Sequence, residues 1–163
     1  MAEINPFREI DDEARALARG LIDAARFGAL AVREPQTGDP VVTRVALVPG
    51  PDGAPLTLVS DLSSHTVALR AHPRCSVLLG EPLQKGDPLT HPRLTLVADA
   101  TDMNKAALRD YYLSAYPKAR LYYDFADFHL MALNPVSGLL NGGFGKAYKL
   151  TLDDLARPDK AQG

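Results

Sequence analysis

Apolar positions recur at steps of three and four early in the chain, at Ile10, Ala14, Leu17, Leu21 and Ala24, which predicts an amphipathic first helix. Asn5 followed by Pro6 suits an N-cap and a first helical position, and Gly28 ends the segment. The period then shortens. FGALAVRE (Phe27 to Glu34) reads as a strand closed by PQTGDP, and VVTRVALV and PLTLVS on either side of PGPDGAP read as a hairpin. Ser63 and Ser64 offer helix caps ahead of HTVALRAH, which Pro73 stops, and RCSVLLGE follows as a strand. The loop PLQKGDPLTHP leads into a long strand, RLTLVADATDM, and NKAALRDYYLSAYPKARLYYDF reads as a helix interrupted at Pro117. FHLMALNP and AYKLTL are strands flanking the Gly-rich NGGFGK. About six strands with helices around them point to a mainly β chain with flanking helices, a small antiparallel barrel. One domain is expected over 1–163, made of a helical 1–26, a barrel over 27–152 and a tail over 153–163.

Folding the hairpin symmetrically about Asp52 sets Val48 against Leu56, Ala46 against Leu58 and Arg44 against Ser60. The opposite face carries Val45 with Val59 and Leu47 with Thr57, so both faces are largely apolar and the pair is expected to be buried on both sides. Arg44 is the anomaly. A guanidinium on an apolar strand face calls for an anionic partner, and its planar fork suits phosphate or carboxylate. SDLSSHT, directly after the second arm, brings the hydroxyls of Ser60, Ser63, Ser64 and Thr66 to a helix start, where free N–H groups and the helix dipole also favour an anion. Two readings follow. Arg44, Ser60, Ser64, His65 and Thr66 hold a phosphate-bearing small molecule, or Arg44 pairs with an acid such as Asp61 or Asp99 while the serines cap the helix.

Composition narrows the partners without naming one. The chain has 163 residues, 18 basic against 20 acidic, which gives no bulk drive toward nucleic acid or acidic membranes. No apolar run reaches the 18 or so residues of a membrane span and the N-terminus lacks a signal-peptide pattern, so a cytoplasmic protein is expected. The single Cys75 is expected to be buried, His65 and His72 lie too far apart along a helix to share a metal, and His91 and His129 read as structural. No metal site is expected. Tyr111, Tyr112, Tyr116, Tyr122 and Tyr123 suit helix packing or a dimer interface, and NGGFGK a tight turn.

Taken in order, TRVALV (Thr43 to Val48), SDLSSHT (Ser60 to Thr66) and AHPRCSVLL (Ala71 to Leu79) resemble the FMN-binding split barrels of the pyridoxamine 5'-phosphate oxidase family. GDPL from Gly86, PRLTL from Pro92 and GFGKA from Gly143 are similar to motifs of its haem-utilisation, or haem-degrading, subgroup. The resemblance spans about Phe27 to Tyr148 and implies a six-stranded antiparallel split barrel that forms a homodimer with ligand sites between subunits. It further implies that Arg44 and Ser64 contact the FMN phosphate, with His65 and Thr66 where the family carries a basic pair. Val45 and Val59 would offer backbone or apolar contacts to the flavin ring, and Arg93 stands where the oxidases have Gln. The oxidase's C-terminal Trp and Arg-x-His motif have no counterpart, so pyridoxamine phosphate oxidation is not expected. The resemblance thus implies a flavin-dependent oxidoreductase of unknown substrate, with a haem-binding or haem-degrading protein and a non-enzymatic flavin binder as the alternatives.

Overall fold

A computed structural model describes residues 2–158. The first helix, α1 (Asp12–Ala24), begins later than Asn5 suggests. The Asn5 carboxamide is used in a local turn, accepting from the Phe7 N–H, whereas the Asp11 carboxylate accepts from the Ala14 N–H and caps the helix. Asp12 and Glu13 then complement the positive end of its dipole, and Ala14, Ala18 and Ile22 form its buried face.

Eight strands follow, β1 (Phe27–Arg33), β2 (Pro40–Ala46), β3 (Val48–Pro49), β4 (Pro55–Ser60), β5 (Arg74–Leu79), β6 (Arg93–Asp102), β7 (Phe128–Asn141) and β8 (Ala147–Leu150). Helices α2 (Ser64–Ala71), α3 (Arg109–Ala115) and α4 (Leu152–Leu155) interrupt or follow them. All pairings are antiparallel, in the order β2-β1-β5-β6-β7-β4-β3 with β8 on β7. The two ends of that path, β2 and β3, are separated in the chain by Leu47 alone, so the sheet curls round into a split barrel.

That curl corrects the expected hairpin. Val48 does face Leu56, but pairing with β4 stops there and at Pro49–Pro55. At Leu47 the chain changes partner: the Leu47 N–H donates to Arg26 O, and β2 pairs along its whole length with β1, setting Arg44 opposite Ala29 rather than Ser60. Dividing one expected arm in two contributes to the count of eight strands against about six. β7 likewise runs past Pro135, where sequence suggested an end, because Pro135 and Ser137 sit opposite the adjacent Ala98 and Val97, a bulge that tolerates a residue with no N–H.

Alternate residues of the sheet feed two cores. Leu30, Val77, Leu94, Leu96 and Leu133 point inward with α1 and with Ala68 and Leu69 of α2. On the other side of β4 and β7, Leu56, Leu130 and Ala132 pack with Tyr112, Leu113 and Tyr123. Two members of the tyrosine cluster thus become core. The Tyr123 hydroxyl donates to Lys105 O at 2.6 Å, and Tyr111, half exposed, donates to Pro49 O. Residues 152–155, placed mostly in the tail by sequence, form α4 with a Thr151–Asp154 capping box, tied to α1 by Arg15 on Asp154 and Arg19 on Leu155 O. The remainder of the expected tail, 159–163, lies outside the described residues. Among the described residues no helix is long and apolar enough to cross a membrane.

Among the described residues no helix covers the outer face of β2, β1, β5 and β6. A row of paired residues crosses it from Arg44 through Ala29, Leu78 and Thr95 to Leu139. Val42, Leu78 and Leu139 on this face are 63%, 45% and 46% exposed.

Candidate functional site

Arg44 projects from that outer face. It is exposed, contrary to the expectation of a buried strand pair, because β2 is an edge strand whose Val41, Thr43 and Val45 take the inward positions. Both acids proposed as its partners are engaged elsewhere: Asp61 lies 2.8 Å from His129 Nε2 and Asp99 accepts from Arg74 at 2.6 Å. No carboxylate pairs with Arg44 among the described residues. Its guanidinium lies over the Phe27 ring, 5.7 Å from the centroid.

Arg44 lines a cleft of about 370 Å³ together with Arg93, Phe27, Ala29, Leu78 and the 80–91 segment. The Arg93 guanidinium enters from the start of β6 and is held by Leu89 O at 2.9 Å and His91 O at 3.4 Å. Gly80 ends β5 at φ +98°, and a Cβ there would stand 2.5 Å from Pro92 O, so only glycine lets the two strand ends close over the cleft. The segment between them is ordered by its own bonds. Asp87 caps a short 3-10 turn at Pro88–Thr90, and His91 Nδ1 accepts from the Leu83 N–H at 3.0 Å. The result is a concave, mainly apolar surface with two guanidinium groups lining it, able to hold a flat molecule that carries a phosphate or carboxylate group.

The other candidates form a second group at the start of α2 and do not line this cleft. Ser60 donates to Asp127 Oδ2 at 3.0 Å and accepts from the Leu62 N–H, and Ser63 is the N-cap residue but makes no side-chain cap bond. Ser64 is exposed on the first turn. His65 Nδ1 lies 3.3 Å from Thr43 Oγ1, and burial holds its pKa below the ordinary imidazole value. Thr43 and Arg44 are successive strand residues with side chains on opposite faces, so α2 and the cleft approach the β2 edge from two sides. Thr66 is buried, its Oγ1 without a hydrogen-bond partner, and so is sealed from a surface ligand. Val45 and Val59 turn their side chains into the core, which leaves only their backbone for any ligand.

Sequence reasoning singled out the arginines and missed their surroundings. Phe27 reads in sequence simply as a strand start, Gly80 and Glu81 as the end of a strand, and Pro82 to Pro92 as a loop. The Gly80-Glu81-Pro82 run directly after an apolar strand was the signal available. Cys75 is buried as expected, its thiol pushed up to about 11 by desolvation.

Residues 11–140 match the family described as pyridoxamine 5'-phosphate oxidase. A non-canonical heme oxygenase of the Arabidopsis thaliana chloroplast, HOZ, is 37% identical over 102 residues, covering 58% of this chain and 30% of its own length. A solved chain 45% identical to this one covers 93% of it, is itself covered in full and superposes with a TM-score of 0.86. The heme binding protein from Mycobacterium smegmatis is 29% identical, with a TM-score of 0.80 over 90% of this chain and 61% of its own. This chain therefore spans less than a third of the curated relative and about three fifths of the mycobacterial one.

Proposed function

Because this chain belongs to the pyridoxamine 5'-phosphate oxidase family, we propose that it binds FMN, with the phosphate at Arg44, and serves as a flavin-dependent oxidoreductase. The observation that carries this is the Arg44 guanidinium, without a carboxylate partner among the described residues and facing an apolar-walled cleft that Arg93 also enters. The donor set fits the group. A dianionic phosphate finds a free planar fork, and a flat ring finds Phe27, Ala29 and Leu78. A bound flavin supplies the electron transfer, while the chain's own residues hold the anion, orient the ring and exclude water from one side of it.

A homodimer belongs to the same proposal. The uncovered face that carries Val42, Leu78 and Leu139 meets the cleft at Leu78, and a second copy laid on it would bury both the apolar face and one wall of the site. A solution mass near twice 17.6 kDa is expected from light scattering.

Haem is the second reading, favoured by the names of the relatives from Arabidopsis thaliana and Mycobacterium smegmatis. Two arginines would suit its two carboxylates equally well. The fit at iron is poorer. His91 is the only histidine lining the cleft among the described residues, and its Nδ1 accepts from Leu83 N–H, so a neutral ring carries its proton on Nε2. Ligation through Nε2 would require that bond to be exchanged, since a metal-bound imidazole ordinarily donates from its other nitrogen.

The absorbance spectrum of the purified protein, followed by titration with FMN and with hemin, tests these readings. A flavin spectrum, or saturable FMN binding that Arg44→Ala weakens, supports the first. A Soret band with no FMN uptake replaces it with the second. FMN binding with no stimulated oxidation of reduced nicotinamide by any acceptor tried reduces the protein to a flavin carrier.

A further inference from the structure

Two arginines line the cleft from opposite sides of the sheet. The row from Arg44 through Ala29 and Leu78 to Thr95 spans three strand spacings, about 14 Å, between the β2 and β6 backbones. Arg93 precedes Thr95 by two residues, so it projects from the same face of β6, about 7 Å further along the strand. Phe27, Ala29, Leu78 and Gly80 line the cleft between them, and none of these carries a charged or hydrogen-bonding side chain.

Arg93 is fixed in place and keeps donors in reserve. Its Nη1 donates to Leu89 O and His91 O, whereas its Nε and Nη2 make no hydrogen bond among the described residues. No carboxylate pairs with it there either. Glu81, the one acid lining the cleft, is exposed to screening solvent and forms no ion pair among the described residues. One positive charge is therefore uncompensated at the end of the cleft away from Arg44.

On the FMN reading Arg44 meets the phosphate, and the oxidised ring beyond it is neutral, so Arg93 has no anionic counterpart in that form. A hydride from a reduced nicotinamide brings two electrons and one proton, which oxidises the nicotinamide and leaves the ring with one negative charge. A fixed guanidinium beside an apolar wall favours the charged ring over the neutral one. We propose that Arg93 stabilises the reduced, anionic ring, so that the protein binds reduced FMN more tightly than oxidised FMN and raises the reduction potential of the bound cofactor. This rests on the FMN reading above and gives Arg93 a role separate from that of Arg44: Arg44 decides whether FMN binds, and Arg93 decides which oxidation state binds better.

The reduction potential of FMN bound to the full chain tests it, read anaerobically at mildly alkaline pH against a reference dye, with xanthine and xanthine oxidase as the reductant, beside a calorimetric titration with oxidised FMN. The wild-type potential is expected to lie above that of free FMN. Arg93→Gln is expected to weaken binding of reduced FMN about tenfold more than binding of oxidised FMN, which for a two-electron couple lowers the bound potential by about 30 mV. Arg93→Lys, which keeps the charge, is expected to retain most of the wild-type value. A wild-type potential at or below that of free FMN overturns the proposal without recourse to any variant. So does an Arg93→Gln protein that binds both oxidation states equally more weakly, since that loss belongs to the Leu89 and His91 contacts and leaves FMN at Arg44 standing. A wild-type chain that binds no FMN overturns the cofactor reading and this proposal together.

Discussion

Arg44 shows how one side chain decides a functional reading. A surface arginine ordinarily finds a carboxylate or is surrounded by water, and here it lies over Phe27 at the mouth of an apolar cleft. A lone charged residue stood out in the sequence because its neighbours are apolar; that Asp61 and Asp99 would be occupied by His129 and Arg74 depended on pairings across β4–β7 and β5–β6, which no local pattern encodes. Two further residues make separate predictions. Burial lowers the pKa of His65 below the ordinary 6.5, so between those values the unfolded chain binds more protons than the folded one and stability rises with pH. Lowering the pH from 7 toward 5 is expected to reduce Tm, and by less in His65→Asn than in wild type, read by thermal denaturation at each pH. Cys75, buried with its thiol at about 11, is expected to resist iodoacetamide in the native protein at neutral pH and to react once denaturant exposes it, as mass spectrometry would register.

At the scale of elements, the strands and α2 were legible from their alternation and their turn residues, whereas the connections between them were not. VVTRVALV is apolar on both faces, so a continuous hairpin arm and an arm broken at Leu47 leave the same pattern in sequence. The distant Arg26 carbonyl decides between them. The same cause hid the site's shape: Gly80 to His91 carries no periodicity, and its order comes from the Asp87 cap, the His91–Leu83 bond and the Arg93 contacts. Gly80→Ala combines an unfavourable φ with a clash against Pro92 O, and is expected to destabilise by more than about 1 kcal/mol and to weaken cofactor binding, measured by denaturant unfolding and by titration. Thr151→Ala removes one half of the α4 capping box and is expected to cost about 1 kcal/mol in the same unfolding experiment without affecting the cleft.

For the whole molecule, the two cores leave one broad sheet face uncovered, and the cleft lies at one end of it. The barrel interior is filled by Leu30, Val77, Leu94, Leu96 and Leu133, and the cleft lies outside it. Leu96→Ala would open a cavity in that interior and is expected to cost about 2–5 kcal/mol, lowering stability without changing which cofactor binds. On the FMN reading proposed above, the positive charge that selects the cofactor is local and resides in Arg44, in a chain whose net charge is only -2. Flavin-fluorescence titration of wild type and Arg44→Ala with FMN tests it most directly. Loss of a charge-assisted contact predicts roughly ten- to hundredfold weaker binding in the variant, with Tm unchanged; equal FMN affinity in the two proteins would contradict the account.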